Sequence, residues 1–202
     1  EVFEEGDGAL VNINLGLGDT DVVSLNAGAG ATPVDYIFNS LTLSGVETIT
    51  SNTAGDNIEL NASAVSGQTL SFTAFSDVTF NGSNAGESIN LKDIDVSTIT
   101  TSTIDGKAGN DAIIGTGSDD RIFGGSGADT ISGGLGDNTY VFNTDDVATG
   151  ETINFNAAGS ETLEVETSTD LSLLNSGGKL NLIDIINILE KQSASFLAAQ
   201  LS

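Results

Sequence analysis

The chain has 202 residues, with 25 glycines, one proline and no Cys, His or Met. Five basic residues against 29 acidic ones give a formal net charge of −24, which excludes nucleic acid and disfavours an anionic membrane surface, because both rely on Lys and Arg to meet phosphate. Without Cys or His there is no disulfide, no thiolate or imidazole zinc site and no Ser-His or Cys-His nucleophile.

The length suits one elongated domain. Such charge opposes compaction until counter-ions arrive, and divalent cations are the obvious remedy. Acidity alone is weak evidence, since a saline habitat explains it about as well. No signal peptide opens the chain, and no apolar run is long enough to span a bilayer. The sequence has no initiator Met and Glu1 opens mid-pattern, so a processed product or a fragment is expected.

Residues 1–25 begin with an acidic head, Glu1 to Asp7. Val11, Ile13 and Leu15 then alternate as in a strand. The stretch Gly16–Ser24, GLGDTDVVS, holds Asp19 and Asp21 in a glycine turn, and the preferred reading is an acidic loop. Residues 26–50 contain the loop AGAGATP with Pro33, then the strand-like runs DYIFNSLTL and GVETIT. Over residues 46–105 a looser repeat follows, AGDNIEL at 54–60 resembling AGESINL at 85–91. Inward candidates Ile49, Ile58, Leu70, Phe80, Ile89, Ile99 and Ile104 recur mostly every nine to twelve residues. Short strands at that pitch, broken by Gly, Asn and Ser, predict a right-handed parallel β-solenoid in which each coil touches only its neighbours.

Residues 106–141 are four nine-residue units without a gap: GKAGNDAII, GTGSDDRIF, GGSGADTIS and GGLGDNTYV. The third matches G-G-x-G-x-D-x-U-x at Gly124, Gly125, Gly127, Asp129 and Ile131. Glycines at the first, second and fourth places permit a tight turn with φ > 0. The sixth place supplies a carboxylate, and the eighth (Ile113, Ile122, Ile131, Tyr140) sends an apolar side chain inward. One unit is half a coil, so Asp111 stacks over Asp129 and Asp120 over Asn138. Gly with Asp is ordinary turn chemistry. Four units in register favour instead an oxygen cage for a hard cation of high coordination number, which means Ca²⁺ rather than Mg²⁺.

These units resemble the β-roll of RTX proteins. The resemblance implies a set of carbonyl ligands. One Ca²⁺ is expected among Lys107, Gly109, Asp111, Gly124, Ser126 and Asp129, and another among Thr116, Ser118, Asp120, Gly133, Leu135 and Asn138. The second cage departs from the family pattern at the neutral Asn138, so weaker binding is expected there. A third ion would use Gly125, Gly127 and Asp129, with Asp145 or Asp146 completing its far side.

Residues 142–178 keep strand character in ETINFNA and ETLEVET, with Glu151, Glu161, Glu164 and Glu166 read as solvated strand faces. In the tail, 179–202, Leu182, Ile185, Ile186 and Leu189 fall at helical spacing, predicting a helix that caps the solenoid. The family implies export by type I secretion machinery on an uncleaved C-terminal signal, and this tail looks like one. The Thr/Asn/Ser-rich strands before the units are also similar to surface-layer and other secreted RTX proteins of Gram-negative bacteria and cyanobacteria.

The expected fold is all-β: a solenoid over 1–105 with degenerate repeats, an RTX β-roll over 106–141, and end strands, helical cap and secretion signal over 142–202. The expected function is that of a secreted, calcium-binding structural protein of the cell surface, an S-layer, sheath or fibre subunit that self-assembles in extracellular Ca²⁺. The alternative is the folding and secretion module of a larger toxin, adhesin or hydrolase. No catalytic constellation is read. Paired carboxylates suffice for sugar chemistry, but the only Arg, Arg121, lies inside a repeat.

Overall fold

The computed structural model describes residues 11–14, 21–25, 33, 35–156, 159–174, 183–189 and 194–195. Every strand pair among them is parallel, and the chain is a β-solenoid. Its main face is an eight-stranded sheet whose strands follow one another in chain order: Asp35–Phe38, Asn57–Asn61, Asp77–Asn81, Thr101–Asp105, Asp120–Phe123, Thr139–Phe142, Glu161–Val165 and Ile183–Ile188. A second face stacks Val22–Leu25, Thr48–Ser51, Leu70–Thr73 and Ile94–Asp95. A third stacks Ser88–Asn90, Ala112–Ile114, Thr130–Ser132 and Thr152–Ile153.

Coil width changes along the stack. Thr101 pairs with Asp77, 24 residues back, because the coil between them makes three short strands. From Ser102 the step drops to 18 residues, with Ser102 opposite Asp120 and Arg121 opposite Thr139. The four nine-residue units therefore wind as two flattened coils with only two strands each. Past them the step widens to 23, where Thr139 pairs with Thr162.

Period-two alternation inside four- or five-residue strands sends one row of side chains inward. Ile58, Ile89, Ile104, Ile113, Ile122, Ile131, Tyr140, Ile153 and Leu163 fill a single continuous core, as do Ile49, Leu70 and Phe80 upstream, while Ile99 is half-buried against it. Edge-on aromatic contacts thicken the core at both ends, Phe72 on Phe80 at 5.6 Å and Tyr140 on Phe155 at 5.1 Å between ring centres. Outward rows are joined from coil to coil by polar pairs: Asn57 donates to Asp35 at 2.7 Å and Asn81 to Glu59 at 2.6 Å.

The tail differs from expectation. Where a capping helix was predicted, Ile183–Ile188 is a strand pairing with Glu161–Val165, and Ala194–Ser195 pairs with Thr169–Asp170. Four of those six residues are Ile, whose branched Cβ restricts χ1 in a helix and favours a pleated surface. An open parallel edge offering unpaired N–H and C=O groups supplied the rest of the preference. The remainder of the expected helix and secretion signal lies outside the described residues, as do Asp19 and the acidic head.

Candidate metal centre

Turns from the main face to the third face stack along one edge of the solenoid, and the return turns stack along the other. The first edge carries the loops ending in Glu87, Asp111, Asp129 and Glu151. Their carboxylates form a staircase. Glu87 N–H donates to Asp111 Oδ1 at 2.7 Å, Asp111 N–H to Asp129 Oδ1 at 2.8 Å, and Asp129 N–H to Glu151 Oε2 at 2.8 Å. Each acid thus spends one oxygen on the coil before it.

The other oxygens have no partner. Asp111 Oδ2, Asp129 Oδ2 and Glu151 Oε1 are shielded from solvent and accept no hydrogen bond. The residues are 2%, 0% and 0% exposed. An orphaned buried carboxylate oxygen is costly unless it is paired or coordinates a metal. Burial accordingly raises all three acids, Asp129 to about 6 and Glu151 to about 8. Neighbouring charge adds to this, from Glu87 on Asp111, and from Asp146 on both Asp129 and Glu151.

Backbone oxygens complete the gap between the loops at 106–111 and 124–129. Ser126 N–H donates to the Lys107 carbonyl at 3.0 Å, and Gly109 N–H to that of Ser126 at 2.8 Å. A Cβ at Gly125 would sit 2.0 Å from the Lys107 oxygen, one at Gly127 1.7 Å from the Gly109 oxygen, and one at Gly106 2.4 Å from the Gly124 oxygen. The structure therefore brings the first expected set together: four carbonyls and two carboxylates between two stacked turns. No group of three or more carboxylates is placed to hold an ion among the described residues. A cation between these turns would have to take most of its oxygens from backbone, as a hard ion of high coordination number can.

Gly127 shows how little slack remains. Its φ is +138°, and any Cβ meets the Gly109 carbonyl. Gly127→Ala is expected to destabilise the protein by about 2–4 kcal/mol, combining positive-φ strain with overpacking. Gly117→Ala is the control, because its Cβ meets nothing within 4 Å and its φ is not in the left-handed range. It should change stability by less than about 1 kcal/mol. Thermal melts of the two variants beside the parent check both.

The second edge has the same stacking and different chemistry. Asp120 accepts the Thr116 N–H at 2.7 Å and the Thr116 hydroxyl at 3.0 Å. Its own N–H donates to Asn138 Oδ1 at 3.2 Å, and the Asn138 amide donates to the carbonyls of Leu135 at 3.3 Å and Gly136 at 3.4 Å. Burial again raises Asp120, to about 6. Thr116, Ser118, Asp120, Gly133, Leu135 and Asn138 do stack, with the Gly133 oxygen 2.3 Å from a Cβ at Gly115, but the two side chains are already engaged with their own loops. Asp120 and Asn138 show no orphaned oxygen.

One reading is corrected here. Glu151 and Glu161 are not solvated strand faces; both are fully buried, Glu151 at the end of its loop and Glu161 at the first residue of its strand. Glu164 and Glu166 share Arg121 as ion-pair partner, bracing coils across the intervening strand. On the step after Asp129 the Asp129 N–H meets Glu151, with Asp146 near enough for its charge to act on both acids. Asp146 is tied to the turn it closes, accepting from Asn143 N–H. A signal for this existed: Gly86–Asn90 reads GESIN and Gly150–Asn154 reads GETIN, placing a Glu where the regular units have Asp. Asp21 likewise gives its N–H to Glu47, at 2.6 Å.

A family model for the RTX calcium-binding nonapeptide repeat matches residues 105–140 in four copies. No curated protein and no solved structure matches the chain. Among the described residues no helix is long and apolar enough to cross a membrane. With stacked glycine turns and inward eighth-place residues in position, residues 105–140 are an RTX β-roll within the β-solenoid, built of repeats whose family binds Ca²⁺.

Proposed function

We propose that this protein is a secreted, calcium-dependent structural component of the cell surface. The carrying observation is the pair of buried, unpartnered oxygens on Asp111 and Asp129, held in a cleft otherwise lined by carbonyls. Lys107, Gly109, Asp111, Gly124, Ser126 and Asp129 would hold the stronger ion. The set around Asp120 and Asn138 would hold a weaker one, because Thr116 and the Asn138 amide compete for its oxygens. Bound Ca²⁺ supplies positive charge and six to eight ligand positions between superposed turns.

Several features support the surface role. RTX repeats are associated with type I secretion substrates. Metal binding is coupled to folding when the site does not exist in the unfolded chain. Loop cages of extracellular modules bind in the ~10⁻⁴–10⁻³ M range, so the chain would gain outside the cell a stability that it lacks inside. The net charge of −24 would let neighbouring molecules share calcium between their flanks.

The test is a Ca²⁺ titration of metal-stripped protein, read by β-sheet circular dichroism and by electron microscopy. Sheet should grow with Ca²⁺ and not with equal Mg²⁺, and ordered arrays or filaments should appear. No gain in sheet would refute the calcium reading. A gain without assembly would favour the alternative, a folding and secretion module of a larger toxin, adhesin or hydrolase.

A further inference from the structure

We infer that the calcium edge extends beyond the nine-residue repeats, with a separate Ca²⁺ site between Asp129 and Glu151. This rests on the calcium reading of the roll and adds a site that the repeats, matched only to residue 140, do not contain.

The step from Asp129 to Glu151 repeats the carboxylate bond and the strand-entry bond of the step from Asp111 to Asp129. Asp129 N–H donates to Glu151 Oε2 at 2.8 Å, where Asp111 N–H donates to Asp129 Oδ1 at 2.8 Å. Thr152 N–H donates to the Asp129 carbonyl at 2.8 Å, where Thr130 N–H donates to that of Asp111 at 2.7 Å. Thr130 and Ile131 pair with Thr152 and Ile153 in the same register as Ala112 and Ile113 do with Thr130 and Ile131.

The step differs in length. Asp129 and Glu151 are 22 residues apart, whereas Asp111 and Asp129 are 18 apart. The extra residues lie in the turn at Asn143–Asp146, closed by the Asp146 N–H to Asn143 carbonyl bond at 3.2 Å. The wider loop still delivers Glu151 to the strand in the same register. Glu151 Oε1 is then left shielded and without a partner, as is Asp129 Oδ2. Two buried carboxylates, each with one oxygen in use and one idle, call for a shared cation. Asp146 stands close enough for its charge to act on both acids, deepening the negative potential. The carbonyls of Gly125 and Gly127, both at positive φ in the loop above, would supply the remaining oxygens, as those of Lys107 and Gly109 would one coil earlier.

Glu151→Gln is the informative variant, since Gln Oε1 still accepts from Asp129 N–H while the charge is lost. Native mass spectrometry of the full chain in Ca²⁺ should count one ion fewer in the variant than in the parent. Isothermal titration should show one class of site weakened at least tenfold, with the sheet gain of the roll retained. An unchanged ion count and unchanged affinities overturn this inference alone, whereas a parent chain that binds no Ca²⁺ overturns the calcium reading beneath it. Should the variant not fold, crystals of the parent grown in Ca²⁺ decide. Anomalous density between Asp129 and Glu151 supports the site; density between Asp111 and Asp129 only, with none at Glu151, overturns it.

Discussion

Converting Asp111 and Asp129 together to Asn is expected to abolish the calcium-induced gain in sheet, while leaving the metal-free chain as folded as the parent. The substitution keeps the Oδ1 acceptors that receive Glu87 N–H and Asp111 N–H. What it removes are two negative charges and two idle oxygens. The molecule contains its own precedent for an amide at the sixth place. Asn138 turns its Nδ2 onto the carbonyls of Leu135 and Gly136, so the amide satisfies oxygens that a metal would otherwise bind. An Asn at 111 or 129 would do the same to the carbonyls of its own loop. Charge count tunes loop-site affinity over orders of magnitude, so a fall of at least ~100-fold, about 2.7 kcal/mol, is expected. In Ca²⁺ at one hundred times the parent dissociation constant, linkage gives the parent about 2.7 kcal/mol. For a chain of this size that is a Tm shift of about 5–10 °C, which the double variant should lose. A double variant that still gains sheet and Tm in Ca²⁺ would move the ion elsewhere.

How far this site was readable before folding depends on the residue. The four nine-residue units name their own geometry, because a half-coil repeat fixes which acids superpose: Asp111 on Asp129, and Asp120 on Asn138. Inward rows were equally legible, since Ile113, Ile122, Ile131 and Tyr140 recur at a constant phase. Glu151 was not, because the run ETINFNA reads as an exposed alternating strand until the wider loop before it places the Glu at a turn. The state of Asp120 was also hidden. Its two oxygens are taken by Thr116, a residue that occupies the place where Gly125 and Gly134 stand in later units, and only coordinates show the side chain folding back. At the tail, Leu182, Ile185, Ile186 and Leu189 gave a helical period over too short a window. The neighbouring coil's unpaired edge outweighed that period, and local pattern carries no information about such an edge.

Stability against pH should change sign with the metal. In the metal-free protein Asp129 titrates at about 6 and Glu151 at about 8, both above the ordinary carboxylate range because of burial. Asp111 and Asp146 are raised in the same direction and for the same first cause. A carboxyl whose folded pKa exceeds its unfolded value holds its proton longer in the folded state. Between the two values the folded chain therefore binds more protons, and unfolding free energy falls as pH rises. The metal-free protein is expected to be most stable below about pH 4, and to lose stability progressively up to about pH 8. Calcium reverses this. It binds only the ionised acids, so its affinity climbs through the same window and offsets the loss. Melts from pH 4.5 to 8 in about 0.15 M salt, which screens the general repulsion of the acidic surface, should fall in chelator and stay level or rise in Ca²⁺. Glu151→Gln should flatten the chelator curve above about pH 6, because that acid titrates near the top of the window. A metal-free melting temperature that climbs from pH 4.5 to 8 would mean these carboxylates are charged and solvated in the folded chain, and the cleft would then have no reason to attract a cation.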